Sequence, residues 1–218
     1  MTRPTNPVRA ARFAAAVMAF AAGTVTAVAE GPAKPDASDR LACTGPFGRG
    51  ASHASLAEIV GKQSLVFTRV DGPEGTKIAA TVLFPKTPDR RLELIWVDEK
   101  ARRGLAAVNL SPTSRWIAPN GVRIGMTLAE IEALNGRPFV LSGFDWDYGG
   151  YVTDWKGGAL DAAIPGGCKG QGRFTVPEGA PEAAASKVAG DREFPSSDKN
   201  MRLVKPIVGS LGFGFPQP

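Results

Sequence analysis

Apolar and polar positions divide the chain into two short helix-like runs, each followed by strand-like blocks. At Ser55-Leu56-Ala57-Glu58-Ile59 a serine three residues ahead of a glutamate opens an apolar run. This is the pattern of a helix start in which the hydroxyl accepts the third helical amide and Glu58 reaches back. Seventy-two residues later Thr127-Leu128-Ala129-Glu130-Ile131 repeats it with Thr for Ser. The first helix is predicted to stop near Gly61 and the second near Asn135-Gly136, because Gly and Asn accept the left-handed helix terminus. β-prone sequence follows both. After the first come "SLVFTRV", "TKIAATVLF" and "RLELIWV", with Leu92, Leu94 and Trp96 alternating against Arg91, Glu93, Ile95 and Val97. After the second come "FVLSGFDWDY", "YVTDW" and "ALDAAI". The pattern predicts an α+β protein, a tandem helix-plus-antiparallel-sheet repeat with β-hairpins over 52–110 and 120–168, connected by "SPTSRWIAPNG".

The flanks lack this periodicity. Residues 1–29 have a secretory layout: Arg3, Arg9 and Arg12, an Ala-rich apolar run, then Ala27-Val28-Ala29 as a small-x-small cleavage site. The run is short and weakly apolar for a bilayer span, so no stable membrane span is expected after cleavage. Residues 30–51 read as an N-terminal arm that becomes ordered near Cys43. Residues 169–218 read as a C-terminal extension packing back on the domain. In it a polar stretch leads to "PEAAASKVA", a short helix with Pro181 in its first turn. The segment "NMRLVKPIVGSLGFGF" then supplies a closing strand, and Pro206 argues for an edge position.

Export changes the reading of charge and cysteine. The leader holds three of the 26 Lys and Arg and none of the 21 acids, so the remaining chain carries 23 basic against 21 acidic residues, a balance of +2. With basic residues scattered, nucleic acid is not an expected partner. Cys43 and Cys168 are the only cysteines, and in an oxidising periplasmic or extracellular space they are expected to form one disulfide. No C-x-x-C spacing suggests redox chemistry.

Chemistry converges on "GFDWDYGGYVTDW", residues 143–155. Asp145 and Asp147 fit the first two positions of a calcium loop, but Gly149 occupies the third and Lys156 stands where the bidentate Glu belongs, so no metal is expected. Gly149-Gly150 as a two-residue turn makes the stretch a hairpin. In that register Phe144, Trp146, Tyr148, Tyr151 and Trp155 share one face, Asp147 faces Val152, and Asp145 faces Asp154. The aromatic row is either core beneath the second repeat or an exposed platform for a glycan, peptide or envelope protein. Elsewhere His53 is the only histidine and no G-x-S-x-G motif surrounds a serine, so no catalytic residue and no cofactor are assigned.

Residues 121–160, "GVRIGMTLAEIEALNGRPFVLSGFDWDYGGYVTDWKGGAL", together with "FPKTPDRRLELIWVD" at 84–98, resemble a group of exported bacterial proteins of unknown function. That likeness covers about a quarter of the chain and implies no known catalytic or binding residues. The tandem layout is also similar, in architecture alone, to the β-lactamase inhibitory proteins and the small outer-membrane assembly lipoproteins. The expected function is a non-enzymatic periplasmic binding or protein-interaction module. The alternative is an envelope glycan hydrolase using Asp145, Asp147 or Asp154.

Overall fold

The computed structural model describes residues 39–216; the predicted leader and the first part of the arm lie outside them. Helix α1 (His53–Val60) starts one turn earlier than its cap motif suggests. Ser52, not Ser55, is the N-cap: its hydroxyl accepts the Ser55 amide at 3.0 Å and the Ser55 hydroxyl accepts the Ser52 amide at 3.0 Å. Ser55 thus fills the reciprocal position that the sequence reading assigned to Glu58. The chain then runs through β1 (Leu65–Asp71), β2 (Lys77–Leu83), β3 (Leu92–Asp98) and β4 (Arg103–Leu110), an antiparallel meander. Leu92, Leu94 and Trp96 are buried as their alternation predicts.

Helix α2 (Leu128–Asn135) follows, capped as predicted by Thr127 and Glu130 and ended by Gly136 in the left-handed conformation. Beyond it the likeness to the first unit stops. The strands β5 (Val140–Ser142) and β6 (Val152–Asp154) are three residues each, and the predicted strand "ALDAAI" is a short 3-10 turn at Ala159–Asp161. The polar stretch after Cys168 is β7 (Lys169–Thr175). After α3 (Glu182–Ala185) come β8 (Glu193–Pro195), α4 (Lys199–Val204) and β9 (Ile207–Gly214).

The large sheet has the order β1-β2-β3-β4-β9-β7, and a small one has the order β6-β5-β8. Strand β9 is therefore interior, contrary to the edge position inferred from Pro206. Pro206 precedes the strand, so its missing N–H removes nothing from the ladder, while its carbonyl accepts the Leu128 amide at 3.2 Å. The first part of the predicted closing strand is α4, capped by Asp198. One apolar cluster joins the inner face of the large sheet to Leu56 of α1, Leu128 and Ile131 of α2, and Met201 and Val204 of α4. Alternate positions on the other face form a smaller cluster around Val70, Ala80 and Val82. Glu132 of α2 accepts hydrogen bonds from the Ser196 hydroxyl and the Arg202 guanidinium, linking α2, α4 and the segment after β8.

The expected disulfide is present: Cys43 and Cys168 are bonded with Cα atoms 6.0 Å apart, joining the arm to the start of β7. Among the described residues no helix is long and apolar enough to cross a membrane.

Candidate functional site

The segment 143–155 is not the tight hairpin its glycines suggest. Val140 pairs with Asp154 and Leu141 with Val152, across an irregularity between Val140 and Leu141. The ladder closes with the Ser142 amide donating to the Tyr151 carbonyl at 2.8 Å. The residues between form a wide loop, so Gly149-Gly150 is not its two-residue turn. The cause is competition from a distant segment. The Gly143 amide donates to the Arg192 carbonyl at 2.7 Å and the Phe144 amide to the Val188 carbonyl at 2.9 Å, drawing the outgoing chain away from β6. It then folds back, with Asp145 at a positive φ of 62°. The Gly150 amide lies 3.2 Å from the Ser142 carbonyl and 3.1 Å from the Gly143 carbonyl.

Close approach explains two of the glycines. A Cβ on Gly143 would stand 2.5 Å from the Gly190 carbonyl oxygen, and one on Gly150 would stand 2.2 Å from that of Phe174. Gly150 also has a φ of 79°, a conformation that favours glycine. Side chains pin the loop further. The Ser142 hydroxyl donates to the Tyr148 carbonyl at 2.6 Å and accepts the Tyr151 amide at 3.1 Å. From β7, Arg173 Nε donates to the Gly149 carbonyl at 2.6 Å and Nη2 to the Trp146 carbonyl at 3.3 Å. Its guanidinium lies 5.5 Å from the centre of the Tyr151 ring.

This geometry splits the predicted row of five aromatics. Phe144 is only 4% exposed and belongs to the core. Trp155 is half-buried with its ring centre 5.0 Å from that of Phe139. Trp146 is also half-buried, its indole N–H donating to the Gly143 carbonyl at 3.0 Å and its ring meeting Tyr148 edge-on at 5.6 Å. Tyr148 and Tyr151 are 66% and 42% exposed. Trp146, Tyr148 and Tyr151 line an open cleft of about 540 Å³, with Ser142, Thr153, Asp191, Arg192 and Glu193 completing it.

The three aspartates are separated as well. Asp145 does not face Asp154, whose strand partner is Val140, and Asp147 has no ladder position opposite Val152, which pairs with Leu141. Asp145 lines a neighbouring depression of about 480 Å³ with Arg173 and Ser210. Asp154 is bonded to Lys156, with Oδ2 2.7 Å from Nζ and Oδ1 accepting the Lys156 amide at 2.6 Å. These bonds, the side-chain one first, hold its carboxyl below the ordinary carboxylate value. Among the described residues no group of three or more His, Cys, Asp or Glu could hold a metal ion.

Sequence reasoning found Trp146, Tyr148 and Tyr151 but missed Arg173, Asp191, Arg192 and Glu193. These come from β7, from the start of β8 and from the two residues before it, and their sequences carry no signal for a cleft. Only the pairing of β5 with β8, in which Ser142 faces Glu193, brings the latter group to the loop.

His53 lies apart, on α1. Its Nδ1 is 2.8 Å from the Thr81 hydroxyl, which also accepts the Trp96 indole N–H at 3.0 Å. Thr81 is fully buried, so donating its own proton to a neutral Nδ1 satisfies all three groups. Burial, then the nearby Arg102 guanidinium, pushes His53 below its ordinary value of 6.5. The unfolded chain therefore binds a proton at a higher pH than the folded one. The His53 contribution is complete above pH 6.5 and is lost as pH falls below it toward the depressed folded value. Thermal melts below pH 6.5 should drop less for His53→Gln than for wild type; equal slopes would exclude this linkage.

No protein-family model, curated protein or solved structure matches this chain.

Proposed function

We propose that the chain is an exported, non-enzymatic binding module of the bacterial envelope, periplasmic or secreted, that uses the Trp146–Tyr148–Tyr151 cleft as its contact surface. The observation that carries this reading is the exposure of Tyr148 and Tyr151 on a loop fixed by Arg173 and Ser142. Tyrosines held rigid at the surface offer contact area without the entropy cost of ordering a mobile loop. Export is supported by the leader pattern of residues 1–29 and by the buried disulfide, which suits an oxidising compartment.

The glycan-hydrolase alternative draws no support from the site geometry. Asp154 is tied to Lys156, and Asp145 lines a depression together with Arg173. The opposed carboxylates on which that reading relied are not formed by strand pairing, since Asp154 pairs with Val140.

Affinity capture from envelope extract, run in parallel with wild type, Trp146→Ala and a Tyr148→Ala/Tyr151→Ala variant, tests the proposal. Both variants should lose a partner that wild type retains, with the tyrosine pair still folding cooperatively and melting within a few degrees of wild type. Identical capture by all three would refute the cleft as the contact surface.

A further inference from the structure

The walls of the cleft are aromatic on one side and charged on the other, and most of the cations close to it are engaged. Arg192 donates from Nη2 to the Lys187 carbonyl at 3.0 Å and lies over the Phe194 ring, 5.1 Å from its centre. Arg173 is directed at the Gly149 and Trp146 carbonyls and the Tyr151 ring. Lys156, which feels the charge of Glu193, is bonded to Asp154. Asp191 and Glu193 are exposed in the cleft wall, and Asp147 is exposed on the aromatic loop itself. Bonds to neutral carbonyls and ring faces leave Arg192 and Arg173 charged, and Lys156 cancels Asp154, so three carboxylates (Asp147, Asp191, Glu193) against two guanidiniums leave a balance of −1 beside three aromatic rings, a sign that favours a cation over an anion.

We infer that the cleft receives a basic peptide segment, with a Lys or Arg side chain laid against Tyr148, Tyr151 and Trp146 and its charged end at Asp191 and Glu193. The inference rests on the cleft being the contact surface and adds the chemistry of what it contacts. A long cationic side chain fits because its methylene stem packs on rings while its head meets the carboxylates. The open volume of about 540 Å³ is more than one ammonium group fills, which favours a side chain carried on a chain segment. Tyr148 at 66% exposure leaves the cleft accessible from the side, as an extended peptide requires.

Fluorescence anisotropy with three labelled probes tests this: a short Lys- and Arg-containing peptide, the same peptide with its lysines acetylated and its arginines replaced by glutamine, and a neutral N-acetylglucosamine oligomer. The indole N–H resonance of Trp146 reports whether each probe reaches the cleft. The basic peptide should bind saturably and shift that resonance. Its affinity should fall roughly tenfold in D191N/E193Q and fall with added salt, as expected of a solvent-exposed charge contact. The neutralised peptide should not bind. If the neutral peptide or the oligosaccharide shifts Trp146 with the same affinity in wild type and D191N/E193Q, the cationic ligand is overturned and the cleft stands as a binding site. If the basic peptide binds D191N/E193Q and Y148A as tightly as it binds wild type, both readings of the cleft fail. Binding by none of the probes overturns the peptide inference alone, since the capture experiment judges the cleft separately.

Discussion

Asn135→Ala should cost the fold about 3 kcal/mol, because one buried amide side chain closes three backbone groups at once. Asn135 ends α2 and is only 1% exposed. Its Nδ2 donates to the Arg137 and Trp155 carbonyls, each at 3.0 Å, and its Oδ1 accepts the Leu160 amide at 3.1 Å. Truncation leaves two carbonyls and an amide without these partners, each of which costs about 1–3 kcal/mol if it stays dry. For a chain of this size the melting temperature should drop by roughly 6–12 °C. Gly158 makes the prediction specific. A Cβ there would lie 2.1 Å from Asn135 Oδ1, so Gly158→Ala alone should also destabilise. In the Asn135→Ala background its cost should shrink, because the atoms it meets are gone. Additive costs in that double-mutant cycle, or a loss under about 1 kcal/mol for Asn135→Ala, would show that Asn135 is not the clamp described.

Much of the fold up to α2 was legible because its signals are local. The period of two in β3 set the buried positions Leu92, Leu94 and Trp96, and the Thr127–Glu130 box marked the start of α2. The α+β class follows from these elements. Legibility ended where distant backbone decides local conformation. Gly149-Gly150 has the composition of a hairpin turn, yet the carbonyls of Val188 and Arg192 take the amides of Phe144 and Gly143 and open the hairpin into a loop. Strand β7 was hidden because Gly170 and Gly172 hold alternate positions where apolar side chains would announce a strand. The cleft was half legible for the same reason. Its aromatics are adjacent in sequence, whereas Arg173, Asp191 and Glu193 arrive through strand pairing. Asn135 appeared only as a helix terminus, since nothing near it predicts the approach of Trp155 and Leu160.

Replacing Cys43 and Cys168 together by Ala should lower stability by about 2–4 kcal/mol. With Tm shifts of about 2–4 °C per kcal/mol, the drop should be roughly 4–16 °C. The bond spans 125 residues, so opening it returns large freedom to the unfolded chain. It also adds a covalent tie to an arm that is otherwise held by the core and by backbone bonds, among them the Leu105 amide to the Arg49 carbonyl at 2.9 Å. Leu41 and Ile117 are joined by an amide-to-carbonyl bond of 2.8 Å, the Ile117 amide donates to Asp39 at 2.9 Å, and Arg115 lies 3.2 Å from the Asp39 carboxylate. Gly166 backs the cysteine so closely that a Cβ there would stand 2.3 Å from the Cys43 carbonyl oxygen. Both sulfurs sit in residues 2% exposed, so dithiothreitol should act slowly on the native protein and quickly once denaturant is added. Amide exchange separates two sources of the loss. If the bond acts mainly on the unfolded chain, the Ala pair should lose protection uniformly across both sheets. If it mainly retains the arm, loss should concentrate at Leu41 and Ile117 while β2 and β3 keep their protection relative to the lowered global stability. A melting temperature within about 1 °C of wild type would exclude both.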